Sequence, residues 1–262
     1  MIARWSAKLG RLRRWVSRNE WTVRLLGLSH SSGTEVEPGL VLVQIDGLSR
    51  RQIERALRRG RMPFLRRLLR RERYRLRTMY SGMPSTTPAV QGEFFYGVPM
   101  AVPAFCFRDS DTGVLVRMFD PEPAAKIERE LVARGQTPLL ADGSSYADIY
   151  SGGAAEPHFC PAAIELNRPL KSVNVLRFVG VLLWHLPSAV RIMVLALVET
   201  ALAIVDFFRG IIAGRDLWKE LKFVPSRVAV AIVLRELVTI GAMADTTRGL
   251  PVIHLNLLGY DE

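Results

Sequence analysis

The sequence is short of cysteine, of long uninterrupted apolar runs and, over one stretch, of acidic residues. Two cysteines, Cys106 and Cys160, among 262 residues cannot staple a small domain. Neither belongs to a C-x-x-C pair, so both are expected as unpaired buried thiols. Residues 1–26 are basic, but no continuous apolar segment follows them, and no secretory signal is expected there. No internal repeat recurs, which excludes a solenoid or propeller. No low-complexity linker divides the chain. Between Arg50 and Arg77 thirteen arginines are opposed only by Glu54 and Glu72.

What is present is sufficient for a core. Hydrophobic residues make up 49% of the chain, enough for one large domain or two small ones. The formal net charge is +11. Such a field draws phosphate, whether on nucleic acid, on lipid head groups or on a small substrate. Taken singly, most of these arginines read as a solvated helix face. No nucleic-acid fold and no aromatic-interleaved basic motif is found, so nucleic acid is not the expected partner.

At the amino terminus Trp5, Leu9, Leu12 and Val16 recur at helical spacing among Lys8, Arg11, Arg14 and Arg18. This predicts a basic amphipathic helix, suited either to a membrane surface or partner groove or to packing on its own domain. A Ser/Gly/Pro-containing loop follows. Leu40–Ile45 is a nearly continuous apolar, β-branched run, the pattern of a strand buried on both faces of a parallel sheet. It runs into Asp46-Gly47. Ser49 is placed to cap a helix from Arg50 to about Arg59, and Gly60 ends it. A second helix is expected over Phe64–Arg71 and a second strand over Leu76–Tyr80. In Ser81–Val90 the Ser/Thr cluster before Pro88 marks a helix start. A hairpin is expected around Asp109–Gly113, a helix over Pro123–Arg134, and a short strand within Ser145–Tyr150.

The composition changes between Val173 and Gly214. Phe178–Leu186 and Ile192–Phe208 are apolar, joined near Pro187 and flanked by basic residues. A bilayer span needs about 20 apolar residues. The second stretch is shorter and contains Glu199 and Asp206. The expectation is a helical hairpin that lies on or dips into the bilayer, with the arginine excess favouring the cytoplasmic face; a helical lobe on the main domain is the other reading. Val228–Met243 continues as a helix. Pro251–Gly259 is an apolar strand that, like the first, leads to an acidic residue, Asp261.

Two apolar strands thus each deliver an aspartate at the carboxyl end, where open parallel sheets bind ligands. Such carboxylates suit zinc, manganese or magnesium. Between them Thr86 sits near a helix start, whose free N–H groups and dipole favour an alkoxide or a phosphoryl group. A threonine hydroxyl needs a base or a metal to become a nucleophile. Each of these features by itself also fits an ordinary turn or helix cap.

The ordered set Leu42–Leu48, Met62-Pro63-Phe64-Leu65, Met83–Ala89 and Tyr96-Gly97-Val98 resembles the opening of type I phosphodiesterases/nucleotide pyrophosphatases, members of the alkaline-phosphatase superfamily. Leu257–Glu262 resembles a later strand of that family. The resemblance covers residues 40–105 and 250–262. It implies a metal-dependent phosphoester or phosphodiester hydrolase using two divalent ions, zinc first, with Mn or Mg as alternatives. It implies Thr86 as nucleophile and metal ligand, because the family's nucleophile stands two residues before the second proline; Ser85 and Thr87 do not. Asp46 would belong to one metal and Asp261 to the other. The family's histidine after this aspartate and its later Asp-His and His ligands have no counterpart here. His254, within a strand, and His158, in a loop, do not match them. The chain is therefore expected to be an amino-terminal part of such an enzyme and inactive alone.

These readings give an α/β fold: a mostly parallel, incomplete sheet flanked by helices, with a hydrophobic helical insertion. Its parts are a basic helix in 1–30, the first part of the α/β domain in 40–164, the insertion in 165–245 and a return to the core in 246–262. The implied partner is a phosphate-ester small molecule or a lipid head group. A membrane head-group transferase of the same superfamily and a non-catalytic membrane- or anion-binding protein are the alternatives.

Overall fold

A computed structural model of the chain describes residues 17–29, 38–164, 186–212 and 229–258. In chain order its elements are α1 (Arg18–Leu26), β1 (Leu40–Ile45), α2 (Arg50–Arg58), α3 (Pro63–Arg71), α4 (Thr87–Tyr96), β2 (Cys106–Arg108), β3 (Leu115–Arg117), α5 (Pro121–Arg134), β4 (Ser144–Tyr146), β5 (Glu156–His158), α6 (Leu186–Ile212), α7 (Arg235–Arg248) and β6 (Val252–Leu257). The fold is α/β. Its four-stranded sheet has the order β1-β6-β4-β5, and every pairing in it is parallel. The expected hairpin forms the separate antiparallel pair β2–β3.

Strand alternation sorts the sheet's side chains into two faces. Val252 faces α4 and α5, joining Ala89, Phe95, Tyr96 and Leu131 in one core. Ile253 and Leu255 face α7, joining Tyr146, Val238 and Ala242 in a second. The helix α7 comes close enough that a Cβ on Gly241 would lie 2.6 Å from the Tyr146 ring. Only glycine fits there.

Several local features follow directly from sequence. Ser49 and Gln52 form a capping box on α2. Pro88 occupies the first turn of α4, and Gly97 ends that helix at φ 70°. Gly249, at φ 80°, ends α7 in the same way. A π-helical turn, Ala229–Leu234, runs straight into α7, so the helix expected over Val228–Met243 is two helical forms joined end to end.

Two expectations differ from the structure. The Leu40–Ile45 run reads as a strand covered on both sides, but β1 is at the edge of the sheet. Leu40, Val41 and Val43 are 48%, 48% and 57% exposed. The helix α7 lies over β6 and β4 and leaves the odd-numbered face of β1 uncovered; a β-branched composition fits an edge and a central position equally well. The strand expected over Leu76–Tyr80 does not form. No described strand pairs with the segment, and of its residues only Leu76 is even partly buried. Of the expected helical insertion, α6 is a single helix of 27 residues with Pro187 in its first turn, where proline is tolerated. Among the described residues no helix is long and apolar enough to cross a membrane. Residues 1–16 and most of the insertion's first half lie outside the described residues.

One buried polar network ties α7 to the sheet. The Tyr146 hydroxyl donates to Asp245 Oδ2 at 2.6 Å. Arg248 Nη1 donates to Asp245 Oδ1 at 2.8 Å and to Glu156 Oε2 at 2.7 Å. The Asp245 side chain is almost inaccessible to solvent. Replacing Asp245 by alanine removes the buried acceptor of Tyr146 and one of the two carboxylates on Arg248, leaving Glu156 as its partner; a buried donor left without its acceptor typically costs about 1–3 kcal/mol. Urea unfolding of Asp245→Ala is expected to show a loss of that order. Arg248 also sets a pH dependence. Its hydrogen bonds hold Glu156 below the ordinary carboxylate value of 4.5, and burial holds His158 below its ordinary 6.5. In both cases the unfolded chain binds the proton more readily, so stability is lost as pH falls. The thermal midpoint should therefore decline below pH 6.5 and decline further below pH 4.5, and His158→Gln should remove the first decline.

Candidate functional site

The parallel pairing of β1 with β6 runs from Leu40↔Val252 to Ile45↔Leu257, and the Asp46 amide continues it by donating to the Leu257 carbonyl at 3.2 Å. Two strand ends predicted independently from sequence therefore emerge side by side. Asp46 stands at that end, half-buried. Asp261, the second predicted acidic ligand, lies outside the described residues. Beside Asp46 opens a cleft of about 650 Å3 between β1 and the first turns of α4, with Ser81, Ser85, Thr87, Gln91 and His254 among its lining residues.

The helix α4 is held against the sheet at two points one helical turn apart. Thr87 Oγ1 donates to Asp46 Oδ2 at 2.9 Å, and Gln91 Nε2 donates to Asp148 Oδ1 at 2.7 Å. Thr86 precedes them as the N-cap residue. Its backbone carbonyl accepts from the Ala89 and Val90 amides, each at 3.0 Å, but its hydroxyl makes no capping bond. Thr86 Oγ1 is buried and has no hydrogen-bond partner among the described residues. A threonine at this position ordinarily caps with its side chain, and an unsatisfied buried hydroxyl costs on the order of 1–3 kcal/mol. A group retained at that cost calls for an explanation. Asn256, paired in register with Gln44, likewise has its buried Oδ1 unpartnered.

The sequence reading selects Thr86 over its neighbours. The structure gives the two threonines different surroundings: Thr87 is bonded to Asp46 and lines the cleft, whereas Thr86 is not among the lining residues and its buried hydroxyl has no partner among the described residues. Sequence reasoning missed what lies behind them. Asp148, 1% exposed, accepts three hydrogen bonds. Besides Gln91, these come from Ser145 Oγ at 2.7 Å and His254 Nδ1 at 2.8 Å. Burial pushes the Asp148 carboxyl above its ordinary value, against these three bonds. Ser145 in turn lies 3.4 Å from the Cys160 sulfur, whose thiol is pushed up to about 12 by burial and stays protonated. The only sequence signal for this cluster was a histidine within an apolar strand, read as packed; it is buried, against Phe95 at 5.0 Å, and lines the cleft as well. His158 is elsewhere, on β5, stacked on Tyr146 at 4.8 Å. Cys106 is exposed rather than buried.

Whether these residues suit a metal can be judged from the donors present. Asp46 offers a carboxylate, and Thr86 an oxygen with both lone pairs unclaimed; both are hard oxygen donors of the kind zinc, manganese and magnesium accept. Among the described residues no group of three or more His, Cys, Asp or Glu side chains could hold an ion. The pair fits as part of a ligand set, not as a whole one.

Comparison with family models, curated proteins and solved structures yields no match. The geometry of the cleft therefore carries the functional reading alone.

The Asp148 cluster generates a direct test. Asp148→Ala removes the acceptor for three buried donors and should cost at least about 3 kcal/mol, whereas Ser145→Ala removes one donor and should cost about 1 kcal/mol. Urea denaturation of both variants, with their double mutant, measures the two losses and their coupling.

Proposed function

We propose that the cleft is a phosphoester-processing site of the alkaline-phosphatase type, with Thr86 as the nucleophile. The observation that carries this reading is the buried, unpartnered Thr86 hydroxyl at the amino end of α4, one residue from the threonine bonded to Asp46. What supports it further is the parallel sheet, whose first strand ends at Asp46 beside the first turn of α4.

In the proposed reaction the Thr86 hydroxyl attacks phosphorus. The Oγ–P bond forms, the ester oxygen leaves and takes up a proton, and Thr86 carries the phosphoryl group. Water then attacks the same phosphorus and breaks the Oγ–P bond, restoring the hydroxyl. The amino end of α4 suits this role because its free N–H groups and positive dipole end stabilise charge on the phosphoryl oxygens. Thr87 keeps the Asp46 carboxylate turned toward the helix start. Two divalent ions, bound through Asp46, Thr86 and Asp261, would supply the Lewis acidity that makes the hydroxyl reactive.

The test is hydrolysis of chromogenic aryl phosphate mono- and diesters by this chain with added zinc or manganese. Thr86→Ala should lower turnover by at least about a thousandfold, Asp46→Asn should weaken metal dependence, and mass spectrometry of the stalled reaction should find phosphate on Thr86. If turnover survives in Thr86→Ala and is lost in Thr87→Ala, the nucleophile is Thr87. If neither substitution matters, the cleft does not process phosphoesters.

A further inference from the structure

The arginine-rich segment has a shape as well as a charge. Ile53, Ala56 and Leu57 of α2 and Leu65, Leu68 and Leu69 of α3 are all only partly buried, and the two helices pack on each other. No residue of either helix is buried. Together they make a thin paddle with its apolar stripes turned inward and its arginines outward. Of the thirteen arginines between Arg50 and Arg77, only Arg50, Arg58 and Arg67 pair with a carboxylate among the described residues. Arg51, Arg55 and Arg59 recur at spacing four along one exposed side of α2.

Charge alone would suit any polyanion. The second observation is apolar. Phe64 is 63% exposed, Met83 75% and Tyr80 81%, and Tyr74 and Met79 are exposed as well. Large apolar side chains bared among cations fit a phase that offers anionic groups at its surface and hydrocarbon just beneath; aromatic and methionine side chains enter it while guanidinium groups stay at the phosphates. A nucleic acid would reward bare aromatics only where bases stack on them.

We infer that the α2–α3 paddle, with the segment from Tyr74 to Met83, docks on the surface of an anionic lipid bilayer. The inference goes beyond the phosphoester reading and does not rest on it. Met79 and Ser81 of the same segment line the cleft, so a docked bilayer would adjoin it.

Co-sedimentation of the full chain with vesicles tests this. One set is phosphatidylcholine alone; the other contains about 30% phosphatidylserine, an anionic lipid of the kind that draws basic segments. Binding to the anionic set should be stronger and should weaken with added salt. Each arginine at such a surface contributes about fivefold, so Arg51→Gln, Arg55→Gln and Arg59→Gln together should lower partitioning roughly a hundredfold. Phe64→Ser with Tyr80→Ser should lower it several-fold and leave the salt dependence in place. All five positions are exposed, and circular dichroism verifies that the variants fold. Equal binding to both vesicle sets overturns the inference, as does retained binding in the triple arginine variant. It is also overturned if single-stranded RNA binds more tightly than the anionic vesicles, with loss in the arginine variant and none in the Phe64/Tyr80 variant, because the surface is then a nucleic-acid site.

Discussion

The buried carboxylate of Asp148 is the constraint on which the cleft depends. A polar group removed from water is tolerated only when it is hydrogen-bonded, and here Gln91, Ser145 and His254 bond it from α4, β4 and β6. Three separate elements are thereby fixed to one point. Gln91 adds a second tie, because its Oε1 accepts the Ile149 amide at 2.8 Å. With that side chain bonded at both ends and Thr87 bonded to Asp46, α4 is tied to the sheet at two points one turn apart. The position of Thr86 at the head of the helix follows from contacts made behind it.

Much of this was legible in the sequence, and the limits are physical. The two apolar strands, the Thr-Pro helix start, the capping serine of α2 and the glycine stops are local features, set by hydrophobic period and backbone preference, and they form where expected. That the ends of the two strands should adjoin was an inference from pattern, and the parallel register of β1 and β6 carries it. The Asp148 cluster was not legible. Its members are 57 and 106 residues apart from Asp148 in the case of Gln91 and His254, and a lone histidine in an apolar strand looks the same whether it packs or faces a carboxylate. The edge position of β1 was illegible for a related reason: composition reports that a residue suits a sheet, while neighbours decide whether it is covered.

Charge and shape divide the labour across this molecule. Its buried charges are compensated one by one, as in the Asp245–Arg248–Glu156 network, and serve to fix elements. The paddle arginines are mostly exposed, and only Arg50, Arg58 and Arg67 pair with a carboxylate among the described residues. Such a field of one sign attracts anions in general, and Ser49, the N-cap of the first of these helices, lines the cleft.

The edge position of β1 has a consequence for its amides. Leu40 and Asp46 donate inward to Pro251 and Leu257, so by strand alternation the N–H groups of Val41, Val43 and Ile45 point away from β6. No described strand receives them. Along six residues the backbone thus alternates between groups locked in a ladder and groups open to solvent exchange. The amide of Asp46 belongs to the locked set and its neighbour at 45 to the open one. The candidate site stands at a seam: rigid toward the centre of the sheet, and on its outer side an unpaired strand edge that another extended segment could complete.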